Sequence, residues 1–408
     1  MYNDDTVNED SNKIEEEESE SSHNEISSWD ELDISDDILR GIYGYGFEKP
    51  SPIQQKAIKP IIMGRDIIAQ AQSGTGKTAT FSIGALSKID INKNETQVLI
   101  LSPTRELTTQ TAKVISSIGN LMESNKKESL RVQIIIGGAA YEEHSGFLNK
   151  NMPHVICGCP GRVFDMLRRN KLSLKTIKLV ILDEADEILS DGFKDQIYNI
   201  FQYFNNDIQV ALFSATLPES ISYIIDKIMR DPVRICVKAE KLTLDGIGQY
   251  YVAVDDDREK YDTLKYIFSY LSMSQCIIYC NSVRRVCDLY DAMREDEFPV
   301  CCIHSNMDFH TRSASFNQFK NGASRVLISS NVTARGIDIQ QVGVVINFDL
   351  PRDIHTYLHR IGRSGRWGRK GTGINFITRR DIFKMKEIEK HYATEIRELP
   401  IDNLGFLS

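Results

Sequence analysis

No apolar run of 18 residues or more occurs in this 408-residue chain, so a transmembrane helix is not expected. The start, MYNDDTVNED, has neither the basic residues nor the apolar stretch of a secretory signal. No C-x-x-C pair exists among the eight cysteines (157, 159, 236, 276, 280, 287, 301, 302), which argues against zinc knuckles. Free buried thiols in a reducing compartment are the expectation instead. The chain also lacks an overall positive charge, at −8. That deficit is local: residues 1–28 hold ten Asp or Glu and one Lys, and the remainder sums to about +1. A polyanion partner is therefore not excluded by charge. Rich in Ser, Asn and Glu and poor in apolar residues, 1–28 reads as a disordered acidic tail that solubilises the chain; a tail that competes with polyanions for basic surface is the alternative.

What is present from Trp29 onward is an alternation of short β-branched runs with helical periodicity. DIIAQ (66–70), QVLILSPT (97–104), VQIIIGG (132–138), HVICGC (154–159), KLVILDEAD (178–186) and QVALFSAT (209–216) form a first set. GQYYVAV (248–254), QCIIYCN (275–281), VCCIHS (300–305), RVLISSN (325–331), VGVVINFD (342–349) and GINFIT (373–378) form a second. Near-continuous apolar strands separated by helices predict α/β domains with doubly wound parallel sheets. The polar stretch 234–247 is the expected linker, dividing an acidic tail (1–28), a first domain (29–233) and a second domain (248–408). The unusual residues fall just after strands, in SGTGKT, PTREL, GG, CPGR, DEAD, SAT and ARGID. Ligands of open parallel sheets bind at that edge.

AQSGTGKT (71–78) follows a strand and precedes a helix, the context of a phosphate-binding loop, with Ala71 at the position usually held by its first glycine. Ser73, Gly74, Thr75 and Gly76 would wrap backbone N–H groups around phosphates, Lys77 would supply charge at the β/γ position, and Thr78 a ligand for Mg²⁺. About 105 residues on, VILDEADEIL brings Asp183 and Glu184 to a strand end. Asp183 suits a water-mediated contact to the metal, and Glu184 an attacking water. In GYGFEKPSPIQQKA (44–57), Phe47 offers a flat ring and Gln54 an amide able to pair with adenine. A helix start with Pro50 and Pro52 as turn residues explains the same text equally well. HRIGRSGRWGRKG (359–371) repeats Arg-x-Gly four times. It reads either as a floppy tract or as a loop that aims guanidinium groups at phosphate.

In this order the motifs GFEKPSPIQ, AQSGTGKT, PTREL, DEAD, SAT, ARGID and HRIGRSGR resemble those of the DEAD-box ATP-dependent RNA helicases, from Trp29 to about Leu399. The resemblance implies two tandem RecA-like domains joined by a short linker, with ATP and Mg²⁺ bound by the first. It implies that Phe47 stacks on adenine, Gln54 reads its edge, and Trp29 supports that site. Lys77 and Thr78 would hold phosphate and metal, Asp183 would complete the metal shell, and Glu184 would be the base. Ser214 and Thr216 would bond near Asp186 and His359, tying nucleotide state to closure. Arg363 and Arg366 would reach the γ-phosphate, with Gly362 and Gly365 turning their loop, and Asp338 would reach the ribose. Arginines so placed are worth 10³–10⁵ in rate in other NTPases.

The same resemblance implies RNA gripped by its backbone through Arg105, Gly137, Gly138, Arg162, Arg312 and Ser330, sequence-tolerant and salt-sensitive. Four departures stand out: Cys159 where the family usually has Thr, Ser305 and Asn306 in place of a Gly-Asp pair, and Asn331 in place of an acid. GRVFDMLRR, GFKDQIYNIFQ and DPVRICVKAEKLTLDGI are similar to the branch that holds the translation-initiation helicases and their nuclear exon-junction paralogue. That branch implies a cytoplasmic monomer working with a scaffold protein of the cap-binding complex. The alternatives are a nuclear clamp with exon-junction partners or a role in pre-rRNA processing. No membrane role is implied.

Overall fold

A computed structural model describes residues 25–72, 74–125, 127–138, 151–190, 192–205, 207–237, 247–270, 275–333, 342–364 and 371–400. The chain divides into two compact units, Met1–Val237 and Lys238–Ser408. Each is built on one seven-stranded sheet in which every pairing is parallel.

In the first unit the strands are β1 (Ile67–Gln70), β2 (Val98–Leu101), β3 (Val132–Ile135), β4 (Val155–Gly158), β5 (Leu179–Asp183), β6 (Gln209–Ser214) and β7 (Val233–Cys236), in the order β3-β4-β2-β5-β6-β1-β7. β2, β4, β5 and β6 are buried at every residue. The two-residue period of a strand divides their side chains between two cores. Val98, Ile100, Val155, Cys157, Leu179, Ile181, Ala211 and Phe213 pack under the helices Asp36–Gly44, Pro52–Ile62, Lys77–Ser87 and Arg105–Ile118. Leu99, Leu101, Ile156, Val180, Leu182, Val210 and Leu212 pack under Pro160–Arg168, Lys194–Phe201 and Glu219–Ile228. Helices on both faces are why these strands read as unbroken apolar runs.

The second unit repeats the plan with β8 (Ile247–Ala253), β9 (Gln275–Tyr279), β10 (Val300–Ile303), β11 (Val326–Ser329), β12 (Val342–Asn347), β13 (Gly371–Ile377) and β14 (Arg397–Glu398), ordered β10-β11-β9-β12-β13-β8-β14. Its core is less uniformly apolar. A buried polar ladder crosses it: Asn347 Nδ2 donates to Asn375 Oδ1 (2.8 Å), Asn375 Nδ2 to Tyr357 Oη (3.3 Å), Tyr357 Oη to Gln249 Oε1 (2.8 Å), and Gln249 Nε2 to Thr394 Oγ1 (2.9 Å).

Three sequence expectations are corrected. The stretch 234–247 is not wholly linker: Arg234, Ile235 and Cys236 pair with β1, and Ile247 pairs with Gly371 of β13. The acidic tail ends before residue 28, because Ile26 is buried, its N–H donates to the carbonyl of Gln55, and Ser28 caps the turn Trp29–Glu31. Of the cysteines, Cys157, Cys276, Cys280, Cys301 and Cys302 are buried, but Cys159 and Cys287 are half-buried and Cys236 is exposed. Burial holds the five core thiols well above the usual range, Cys302 at about 11 and Cys301 at about 12.

One close approach fixes two helices of the first unit. A Cβ on Gly41 would lie 1.8 Å from the carbonyl oxygen of Ile118, whereas one on Gly44 would meet nothing within 4 Å. Gly41→Ala should therefore force the helices apart, costing about 1–3 kcal/mol and lowering the thermal midpoint by roughly 3 °C or more. Gly44→Ala in the same helix should leave it unchanged or raise it. Equal midpoints in calorimetry for the two variants would contradict the contact.

Candidate functional site

The strand order sorts the chemistry of the first unit along one edge. β5, β6 and β1 are neighbours, and their C-terminal ends carry DEAD, SAT and GTGKT. β3, β4 and β2 are neighbours on the other half, and theirs carry GG, CPGR and PTREL. Two groups of motifs scattered through the sequence thus become two contiguous patches.

On the first patch, Gly74 and Gly76 adopt φ of +84° and +101°, the left-handed region that lets the loop reverse into the helix Lys77–Ser87. Gly76 has a second reason to lack a side chain. Ser51 and Gln54 press against it, and a Cβ there would lie 2.8 Å from Gln54 Nε2. Ser51 Oγ donates to the carbonyl of Thr75 (2.8 Å), Gln54 Nε2 to that of Gly76 (3.5 Å), and the Ser51 N–H to Gln54 Oε1 (2.7 Å). Gln54 is thus both the capping-box residue of its own helix and a prop for the phosphate loop. Each of its amide atoms keeps capacity for a second hydrogen bond.

Trp29 is fully buried, and its indole N–H donates to the carbonyl of Phe47 (3.1 Å). It does not offer a surface to a nucleotide; it fixes the backbone that presents Phe47. The half-buried Phe47 ring leans on Tyr45, their centroids 5.0 Å apart.

Lys77, Asp183 and Glu184 converge in a dry corner, at 6%, 2% and 3% exposure. Lys77 Nζ lies 3.9 Å from Glu184 Oε2, within ion-pair range but beyond a hydrogen bond. Asp183 Oδ1 accepts the N–H of Glu184 (3.0 Å), and its Oδ2 is buried with no hydrogen-bond partner. Burial, with the charge of Glu184 next to it, pushes the Asp183 carboxyl up to about 7. Such a carboxylate calls for a cation. Glu184 itself stands at φ +52°, ψ +55°. That conformation costs a non-glycine residue about 1–2 kcal/mol, and retained strain of this kind gathers at working sites.

Behind it, Thr216 Oγ1 donates to Asp186 Oδ2 (2.8 Å), the Asp186 N–H to Ser214 Oγ (3.3 Å), and Ser214 Oγ to the carbonyl of Thr216 (2.6 Å). The structure thus joins the ends of β5 and β6 through Asp186, Ser214 and Thr216. Thr78 lies half-buried in the first turn of the helix that Lys77 begins.

On the second patch, Arg105 opens the helix Arg105–Ile118, and its guanidinium lies beside Gly137, within 3.6 Å of where a Cβ would stand. Gly138 has φ +89°. Arg162 sits in the first turn of Pro160–Arg168, 3.8 Å from Asp165. Cys159 is the N-cap of that helix but makes no side-chain cap bond, and its Sγ lies 3.4 Å from Thr108 Oγ1. In the second unit, Ser330 follows β11, and Arg312 is buried in the helix Phe309–Lys320. His359 and Arg363 are buried on and just after the helix Ile354–Ile361, and Arg363 Nε donates to the carbonyl of His359 (3.3 Å). Ser73, Asp338, Gly365 and Arg366 lie outside the described residues.

Sequence reasoning did not find Ser51, or the hub formed by Arg360, which donates to Asn281, Asn331, Asn347 and the carbonyl of Asp349. The H-R pair in HRIGR was the one available signal for the latter.

Comparison with known proteins gives the family. The DEAD/DEAH box helicase family matches residues 51–224, and the helicase conserved C-terminal domain matches 259–368. Eukaryotic initiation factor 4A of Cryptosporidium parvum is 51% identical over 94% of this chain and 93% of its own length. Eukaryotic initiation factor 4A-III homolog A of Oryza sativa subsp. japonica is 50% identical over 92% of each. Among solved structures, S. cerevisiae Dbp5 bound to RNA and ADP BeF3 superposes with a TM-score of 0.83 at 34% identity, covering 92% of this chain and 96% of that one. With two RecA-like units and a loop-and-carboxylate corner at the end of the first sheet, the chain belongs to the DEAD-box family of ATP-dependent RNA helicases, enzymes that hydrolyse ATP.

Proposed function

We propose that the chain is an RNA-stimulated ATPase of translation initiation that grips single strands by their backbone and melts short duplexes locally. The observation that carries the chemistry is the buried corner where Lys77 faces Glu184 at 3.9 Å with Asp183 beside them. ATP is the substrate: Phe47 stacks on its base, Gln54 meets its edge while bracing Gly76, and Lys77 with the loop amides binds its phosphates. The residues present suit Mg²⁺. Asp183 Oδ2 is buried without a hydrogen-bond partner, and Thr78 offers a hydroxyl. Mg²⁺ commonly takes one or two protein oxygens, with substrate phosphates and water supplying the rest. When bound it neutralises charge on the β- and γ-phosphates. Glu184 then orients the attacking water and takes its proton. The low-dielectric corner keeps these electrostatic effects large. Arg363 and Arg366, on the second unit, are assigned to the charge that develops on the γ-phosphate.

The patch formed by Arg105, Gly137, Gly138 and Arg162 presents guanidinium groups and backbone amides and no base-reading array. This supports sequence-tolerant binding to RNA; Arg312 and Ser330 are the residues of the second unit assigned to the same ligand. The initiation-factor relatives support a cytoplasmic role with a scaffold protein of the cap-binding complex, the chain working as a monomer. An ATP-gated clamp in nuclear RNA–protein assembly is the second reading, favoured by the 4A-III homologues at similar identity. Co-purification with a cap-binding scaffold or with exon-junction partners separates the two.

Steady-state ATP hydrolysis with and without unstructured RNA tests the central proposal: turnover should rise with RNA, and equal rates would refute it. Glu184→Gln should bind ATP yet turn over about 10²–10⁴ times more slowly. Its thermal midpoint should be no lower than that of the parent, since one of the clustered charges beside Asp183 is gone. Cys159→Thr should tighten RNA binding a few-fold by restoring a hydroxyl, one neutral hydrogen bond being worth about 0.5–1.5 kcal/mol. Unchanged affinity in a salt titration would remove Cys159 from the RNA patch.

A further inference from the structure

Arg360 is fully buried, and no carboxylate receives any of its described hydrogen bonds. Nε and Nη2 both donate to Asn331 Oδ1 (3.0 and 2.6 Å), Nη2 also to Asn281 Oδ1 (2.8 Å), and Nη1 to Asn347 Oδ1 (3.0 Å) and the carbonyl of Asp349 (2.8 Å). The guanidinium carbon stands 5.2 Å from the ring centroid of Tyr279, whose hydroxyl donates to the carbonyl of Thr333 (3.1 Å). The nearby carboxylate of Asp349 is engaged elsewhere, by Arg285 Nε (2.8 Å), Lys260 (3.3 Å) and the N–H of Asn281 (2.9 Å). Burial lowers the arginine to about 10, well below its ordinary value.

A buried charge solvated by amide oxygens is expensive unless the fork is filled. Here it is filled by groups from three separate strand ends. Asn281 follows β9, Asn331 opens the turn after β11, Asn347 ends β12, and Asp349 lies two residues beyond it. The fixed geometry of a guanidinium sets the angles among them, which a lysine could not do. Arg360 lies in the last turn of the helix, immediately after His359, and Arg363 follows the helix C-cap Gly362. Ser330 lies next to Asn331.

We propose that Arg360 is a positioning residue: its fork to Asn281, Asn331 and Asn347 sets the angle at which Arg363 is presented for phosphoryl transfer. The inference rests on the role given to Arg363 above. Asn331 is the adjustable member, because it supplies the acceptor for two of the five hydrogen bonds and lies at the surface. An aspartate there, the residue type the family usually carries, has the same shape and offers an acceptor oxygen in the place of Asn331 Oδ1.

A double-mutant cycle on the full chain, read as RNA-stimulated kcat and KM for ATP, tests this. Arg363→Ala should lower kcat about 10³-fold. Arg360→Lys should lower kcat about 10- to 100-fold with KM within two-fold, and in the Arg363→Ala background should change kcat by less than two-fold. A merely structural role would lower kcat by the same factor in both backgrounds, and that result overturns the proposal. Should Arg360→Lys fail to fold, Asn331→Ala gives the same cycle at the surface, with Asn331→Asp expected to restore kcat. Loss of turnover in Asn331→Ala without recovery in Asn331→Asp would also overturn it. If Arg363→Ala turns over normally, the fault lies with the role of Arg363 itself.

Discussion

Both faces of each sheet are covered, and that single constraint decides where chemistry can occur. Strands such as Val98–Leu101 and Leu179–Asp183 expose nothing along their length, so a polar group there would lie stranded in a dry core. Only at the carboxyl ends do backbone groups come free and helix N-termini point outward. Because every pairing is parallel, all those ends lie on one edge. The order β3-β4-β2-β5-β6-β1-β7 then determines which loops are neighbours. Motifs separated by a hundred residues meet because β1 and β5 both flank β6, and for no local reason.

At that edge stability is set against reactivity. Asp183, Glu184 and Asp186 crowd together in a region of a few per cent exposure, and Glu184 holds a backbone conformation suited to glycine. The fold retains them because Lys77 partly compensates and because Thr216 and Ser214 bind the neighbouring Asp186. A positively charged ligand bound there would relieve the same tension. Ligand binding and stability of the first unit are therefore coupled through the same few atoms.

Much of this was legible in the sequence, for identifiable reasons. Ten of the twelve runs read as strands contain one whole, and the other two, 248–254 and 373–378, start one and two residues inside theirs, since buried parallel strands give unbroken apolar text. Val233–Cys236 and Arg397–Glu398 were not read. Both are edge strands: the first is four residues long, with only Val233 and Ile235 packed on the core and Arg234 and Cys236 exposed, and the second is two residues, exposed throughout. The phosphate loop and the acidic strand end were legible because their residue types are rare after apolar runs. The bracing of Gly76 by Ser51 and Gln54 was not, and for Trp29 only the supporting role implied by the resemblance was, not the bond to Phe47 that provides it: each joins a side chain to a backbone carbonyl some twenty residues away in sequence, which leaves no period and no composition bias. Arg360 was hidden for another reason. As a charged residue at a helix end it reads as solvated, and only the surrounding asparagines make burial tolerable.

The chain of amides and hydroxyls from Arg360 through Asn347, Asn375, Tyr357 and Gln249 to Thr394 has an evolutionary corollary. In a low-dielectric interior a half-satisfied network is worse than none, so replacing one member leaves its neighbours with orphaned donors or acceptors. Drift at these six positions is accordingly constrained to move in blocks. Lineages should inherit the set intact or exchange several members together, and the tolerance of any one site is a property of the whole ladder.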